Sequence, residues 1–207
     1  MRLTHFSDCI VISAARTALG LSEMTASIDM LTFNLLQHDV LVRGGFTVGN
    51  AHHDKDFVFG TALNRAYVLE SDRDAGARHP MVLCSPEVMD DVKGYGESCL
   101  ACFQQDGQER WFLHFLMRFS RYTHEPIYAG KVIMDDPAQR VRDFICRRLR
   151  EDKGSVLEKA QWLADYWNRT VASLGVFAEV DASIEPANTS RGPTIMVRRI
   201  FGSAVSG

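Results

Sequence analysis

The sequence predicts an α+β fold, a largely antiparallel sheet carrying helices on one face. Three observations predict it. Short apolar, β-branched runs alternate with amphipathic stretches through the first half of the chain. An Asp-Gly pair at Asp106 and Gly107 separates two further strand-like runs. Past residue 134 the pattern changes to two amphipathic helices, a C-terminal helical extension.

Each element has a local reason. "CIVIS" at 9–13 is rich in β-branched residues and reads as a strand. A helix follows from Ser22, with Met24, Ile28, Leu31 and Leu35 on one stripe; Ser22 caps it and Glu23 suits its positive end. "VLVRGGFTVG" at 40–49 reads as a strand whose glycine pair marks a bulge or a close backbone approach. The loop "NAHHDKD" leads to a helix from Gly60 with Ala62, Leu63, Ala66, Tyr67 and Leu69 apolar. "PMVLCS" at 80–85 is a strand, and "PEVMDDVKG" a short helix with proline in its first turn and glycine at its end. The stretch "SCLACFQQDGQERWFLHFL" gives two strands joined across the Asp106-Gly107 turn. "DDPAQRVRDFICRRLRE" buries Val141, Phe144, Ile145 and Leu149, and "SVLEKAQWLADYWNRTV" forms the next amphipathic helix. The expected organisation is a domain over 1–134, helices packed on it over 135–175, and a loop or tail over 176–207.

Composition bounds the function. With 207 residues, 46% hydrophobic and 24% charged, the chain can bury a full core without staples. A net charge of −3 argues against a dedicated nucleic-acid binder. No apolar run has transmembrane length, and "MRLTHFSD" lacks the parts of a signal peptide. The five cysteines, Cys9, Cys84, Cys99, Cys102 and Cys146, form no disulfide framework, which places the protein in the cytoplasm without direct membrane association.

Four stretches in order, "FSDCIVIS", "VRGGFTVG", "FVFGTALNRAYVLES" and "WLADYWN", resemble the class III nucleotidyl cyclases. The closest likeness is to the pyrimidine (uridylate or cytidylate) cyclases of bacterial anti-phage (Pycsar) defence. It covers residues 4–90 well and 157–168 more loosely. The resemblance implies a ferredoxin-like cyclase catalytic domain and conversion of UTP or CTP to cyclic UMP or cyclic CMP and diphosphate. It also implies a head-to-tail homodimer with composite sites, and a separate effector that reads the cyclic nucleotide. In the family two aspartates on neighbouring strands hold two divalent cations, Mn²⁺ or Mg²⁺. That suits the preference of hard ions for carboxylate oxygen.

Asp8 matches the second of those aspartates and is the expected metal ligand. The family's first strand, with the first aspartate, has no counterpart before Met1. The sheet is therefore expected to be N-terminally incomplete, through either a missed upstream start or a genuine short form. Asn64 matches the asparagine that orients the ribose. The family's transition-state arginine falls on Val68, and Arg65 lies about a hundred degrees away around an ideal helix. Purine-reading positions hold Thr4 and Phe57, with Asp56 one place off, which agrees with a pyrimidine substrate.

Arg43 could be a surface charge or a dimer salt bridge, but beside two glycines that allow close approach its planar fork is read as contacting a pyrimidine carbonyl or phosphate oxygens of the nucleotide. Phe57 and Tyr67 fit either the base or the core. His52 and His53 read as loop residues without a zinc-like companion. Cys99 and Cys102 in "CLAC" read as buried structural residues whose sulfurs, in a strand, would not share a face. The arginines of "RVRDFICRRLRE" read as the solvated side of a helix. The alternative reading is a non-catalytic cyclase-like module that dimerises or senses a nucleotide; a purine cyclase fits less well.

Overall fold

The computed structural model describes residues 1–55, 57–95, 97–120, 137–174 and 180, and the backbone alone at 97–98 and 198–205. Asp56, the expected boundary at 134/135 and most of the expected tail lie outside the described residues. The chain opens with a hairpin, β1 (Arg2–Phe6) and β2 (Cys9–Ala15), whose two-residue turn is Ser7 and Asp8. Ser7 takes a positive φ of 54°, as the first loop position of a tight hairpin requires. Helix α1 (Ala18–Leu36) then starts four residues earlier than the sequence predicts. The Thr17 hydroxyl accepts the Gly20 N–H and caps it, so Ser22 lies inside the first turns.

Strand β3 (Val42–Gly49) is followed by a two-stranded ribbon, β4 (His52–His53) and β5 (Val58–Phe59), and then α2 (Thr61–Ser71). Next come β6 (Val82–Cys84), α3 (Pro86–Gly94), the single turn α4 (Glu97–Leu100), β7 (Phe103–Gln105) and β8 (Trp111–Leu113). A 3-10 turn over Phe115–Phe119 ends this half. Helices α5 (Pro137–Glu151) and α6 (Ser155–Leu174) follow, and β9 (Arg198–Val205) comes last among the described elements.

The main sheet has seven strands in the order β1-β2-β9-β3-β6-β8-β7. Its fold class is α+β as expected, but the expected largely antiparallel sheet is corrected to a mixed one. The pairings β2·β9, β9·β3 and β3·β6 are parallel, and only β1·β2, β6·β8 and β8·β7 are antiparallel. The cause lies in the connections. The routes from β2 to β3 and from β3 to β6 run through α1 and α2, and a helical crossover returns the chain in its original direction.

Helices also cover both faces rather than one. Ile12 and Ala14 pack with Leu21, Met24 and Ile28 of α1 and with Val88 of α3. The alternate residues Cys9 and Val11 pack with Ala66 of α2 on the opposite face. The two C-terminal helices join the sheet through a cluster that includes Leu83, Phe112, Phe144, Leu163 and Trp167, as their apolar stripes predict.

The largest departure is β9. The sequence reads as loop or tail there, yet the backbone of 198–205 fills the slot between β2 and β3. The gap expected from a missing strand is closed by the chain's own later segment. This satisfies backbone groups that an open slot would leave unpaired. No helix among the described residues is long and apolar enough to cross a membrane.

Candidate functional site

Asp8 stands at the tip of the first hairpin, half-buried, where β2 begins. The register Cys9↔Arg199 and Arg43↔Arg199 places the start of β3 at the same end of the sheet, one strand beyond β9. Asp8 and Arg43 therefore sit at one end, separated by a single strand.

The Arg43 side chain has a definite partner. Its Nε–H donates to Glu70 Oε1 at 2.7 Å, and the side chains are 24% and 0% exposed. Gly45, two residues on, explains how α2 comes so near. A Cβ there would meet the Ala66 carbonyl oxygen at 2.4 Å and Leu69 Cβ at 2.7 Å. The glycine pair is thus a close backbone approach by a helix, one of the two meanings the sequence allows.

Asn64 is exposed on α2, as are Tyr67 and Val68. Arg65 does not stand in for the arginine missing at Val68. Its Nη1 donates to the Val48 carbonyl at 3.1 Å and lies 3.6 Å from Glu87 Oε1 on α3. Phe57 is 65% exposed at the ribbon's tip, where its N–H donates to Asp54 Oδ1 and its carbonyl accepts the Asp54 N–H. Four surface cavities of about 310–400 Å³ are lined by other residues, His53 and Cys99 among them.

The expected divalent ions can be tested against the donors present. Asp8 offers one carboxylate, and no group of three His, Cys, Asp or Glu side chains that could hold a metal ion occurs among the described residues. Asp8 is thus one hard oxygen donor for such an ion, and no chemical step is assigned to an ion here.

Two readings of the sequence need correction. His52 and His53 form a strand, β4, and strand alternation turns one outward and the other inward. His52 lies 2.8 Å from Asp54 and stacks on Phe59. His53 is buried between two hydroxyls, Ser13 Oγ at 2.6 Å from Nδ1 and Thr4 Oγ1 at 2.9 Å from Nε2. Burial and then the charge of Arg2, whose guanidinium donates to the His53 carbonyl, hold its pKa below the ordinary value. A neutral imidazole, one nitrogen donating and the other accepting, suits both neighbours. Thr4, at a purine-reading position of the resembled family, is thereby occupied by histidine.

Cys99 and Cys102 do not lie in a strand either. They straddle the end of α4 and a turn into β7, and both line one cavity. His114 lines the same cavity, with Nδ1 at 2.6 Å from the hydroxyl of the fully buried Tyr166. That hydroxyl also accepts the Leu116 N–H at 3.2 Å. Burial pushes the His114 pKa down to about 4. Nothing in the sequence marks this pair, since the two rings meet only when α6 packs against β8. Compared with protein-family models, with curated proteins and with solved structures, the chain matches none.

Proposed function

We propose that the chain acts as a pyrimidine nucleotide cyclase, taking UTP or CTP to the cyclic monophosphate and diphosphate as an anti-phage signal. The observation that carries this reading is Asp8 at the hairpin tip, half-buried and level with the start of β3. The stretches that resemble the cyclases also fall on successive elements: the hairpin β1–β2, then β3, then β5–α2, and finally α6. In this reading Asp8 would supply one carboxylate ligand to a Mn²⁺ or Mg²⁺ ion. Asn64 orients the ribose, Phe57 lies against the base, and Arg43 sits behind them, tied to Glu70. In this reading a homodimer brings the exposed residues Phe57, Asn64, Tyr67 and Val68, which lie on or beside α2, to the Asp8 end of a second copy.

The test supplies each of the four nucleoside triphosphates with Mn²⁺ and analyses the products by chromatography and mass spectrometry. Cyclic UMP or cyclic CMP from the wild type, absent with Asp8→Ala, is the expected result. No cyclic nucleotide from any substrate, with Asp8→Ala indistinguishable from wild type, overturns the reading.

A second reading has its own observation. One carboxylate, with Arg43 committed to Glu70, favours a cyclase-like module that senses a nucleotide or dimerises without turnover. Saturable binding of UTP or CTP by calorimetry, with no product formed, selects it.

A further inference from the structure

We propose that Cys99 and Cys102 form a reversible thiol–disulfide pair whose state sets the wall of the cavity between α1 and β7–β8. The Cys102 N–H donates to the Cys99 carbonyl at 3.2 Å. That bond closes a four-residue turn and brings the two α-carbons within about 7 Å. A disulfide spans α-carbon separations of about 4.4–6.8 Å, a range that such a turn reaches. Both residues line the same cavity of about 310 Å³, together with Leu21, Phe103 and His114. The turn is anchored to the sheet, because the His114 N–H donates to the Cys102 carbonyl at 2.8 Å.

The five cysteines are not equivalent. Cys102 is exposed, Cys99 and Cys146 are half-buried, and Cys9 and Cys84 are buried. Burial drives the Cys84 thiol far above its ordinary pKa and leaves it inert. Exposure assigns the order of events with a low-molecular-weight disulfide as oxidant. The Cys102 thiolate attacks one sulfur of that disulfide, whose S–S bond breaks and releases one thiolate. The Cys99 thiolate then attacks the Cys102 sulfur and expels the second. The two protons lost by the cysteines end on the two released thiols, and the electron pair passes from the protein to the oxidant. The bond draws the α4–β7 turn tight, and the cavity wall changes with it.

The experiment equilibrates the full chain with graded mixtures of oxidised and reduced glutathione, traps thiols by alkylation, and maps the peptide between Lys93 and Arg110. A bond between Cys99 and Cys102 within one chain, reversed by reduced glutathione, is the expected result. Cys99→Ser then traps glutathione on Cys102, whereas Cys102→Ser leaves Cys99 unmodified. Both thiols remaining alkylatable in every mixture overturns the proposal, as does a bond to another cysteine or another chain. Circular dichroism checks that each variant folds; where one does not, the wild-type map alone decides.

Discussion

The guanidinium of Arg43 on β3 closes on the carboxylate of Glu70 in the last turn of α2, with Nε 2.7 Å from Oε1. Glu70 has no exposed side-chain surface, so the pair fastens the helix to the centre of the sheet. A planar fork beside two glycines suits a buried carboxylate as well as it suits a nucleotide. The ion pair therefore defines what a mutation at Arg43 reports.

Arg43→Ala strands a buried carboxylate. Unfolding in urea is expected to show a loss of about 3–5 kcal/mol. A loss below about 1 kcal/mol, the scale of an exposed pair, would show that the contact does not hold α2 in place.

Gly45→Ala forces a methyl group into the α2 backbone. The expected cost is about 1–3 kcal/mol in the same assay. Gly107→Ala is the control, since a Cβ there meets nothing within 4 Å, and it should stay within about 0.5 kcal/mol.

Acid should weaken the fold through histidine. Burial lowers the His114 pKa from 6.5 to about 4, and His53 and His79 shift the same way. In that window the unfolded chain binds more protons than the native one. Stability is therefore complete above the unfolded value and falls as the pH drops toward the folded one. His114 alone accounts for about 2 kcal/mol by about pH 5. Urea midpoints between neutral and mildly acid pH check this, and His114→Asn should show a shallower decline.

Thr4→Val removes one of the two hydroxyls that hold His53. The expected loss is about 1–3 kcal/mol, with Thr4→Ser restoring most of it. Equal stability of Thr4→Val and wild type would mean that the imidazole needs only Ser13.

Much of the fold was legible in local chemistry. Ser85 accepts the Val88 N–H ahead of Pro86, so α3 lies where its capping residues put it. Asp106 accepts the Gln108 and Arg110 N–H groups, which explains why the turn between β7 and β8 was visible. The parallel direction of the central strands was not legible, because it is set by the helical crossovers and not by any strand's own residues. Strand β9 was hidden for a related reason: its neighbours β2 and β3 define it, while its own segment carries glycine and serine without a clear period. At the candidate site Asp8 was legible as an acid beside a strand. The burial of His53 is not legible in two adjacent histidines within a polar stretch, because only alternation in a strand sends one of them inward. The Arg43–Glu70 contact joins residues on separate elements, and no spacing rule reaches that far.

The place of β9 also governs how the molecule can assemble. Its register joins Cys9 to Arg199, near opposite ends of the sequence. Such distant pairings are slow to form, because the intervening loop must close before any contact rewards it. Until β9 docks, β2 and β3 each present a bare edge to any other strand nearby. Refolding should accordingly be slow and sensitive to protein concentration, with the last strand acting as the keystone of the sheet.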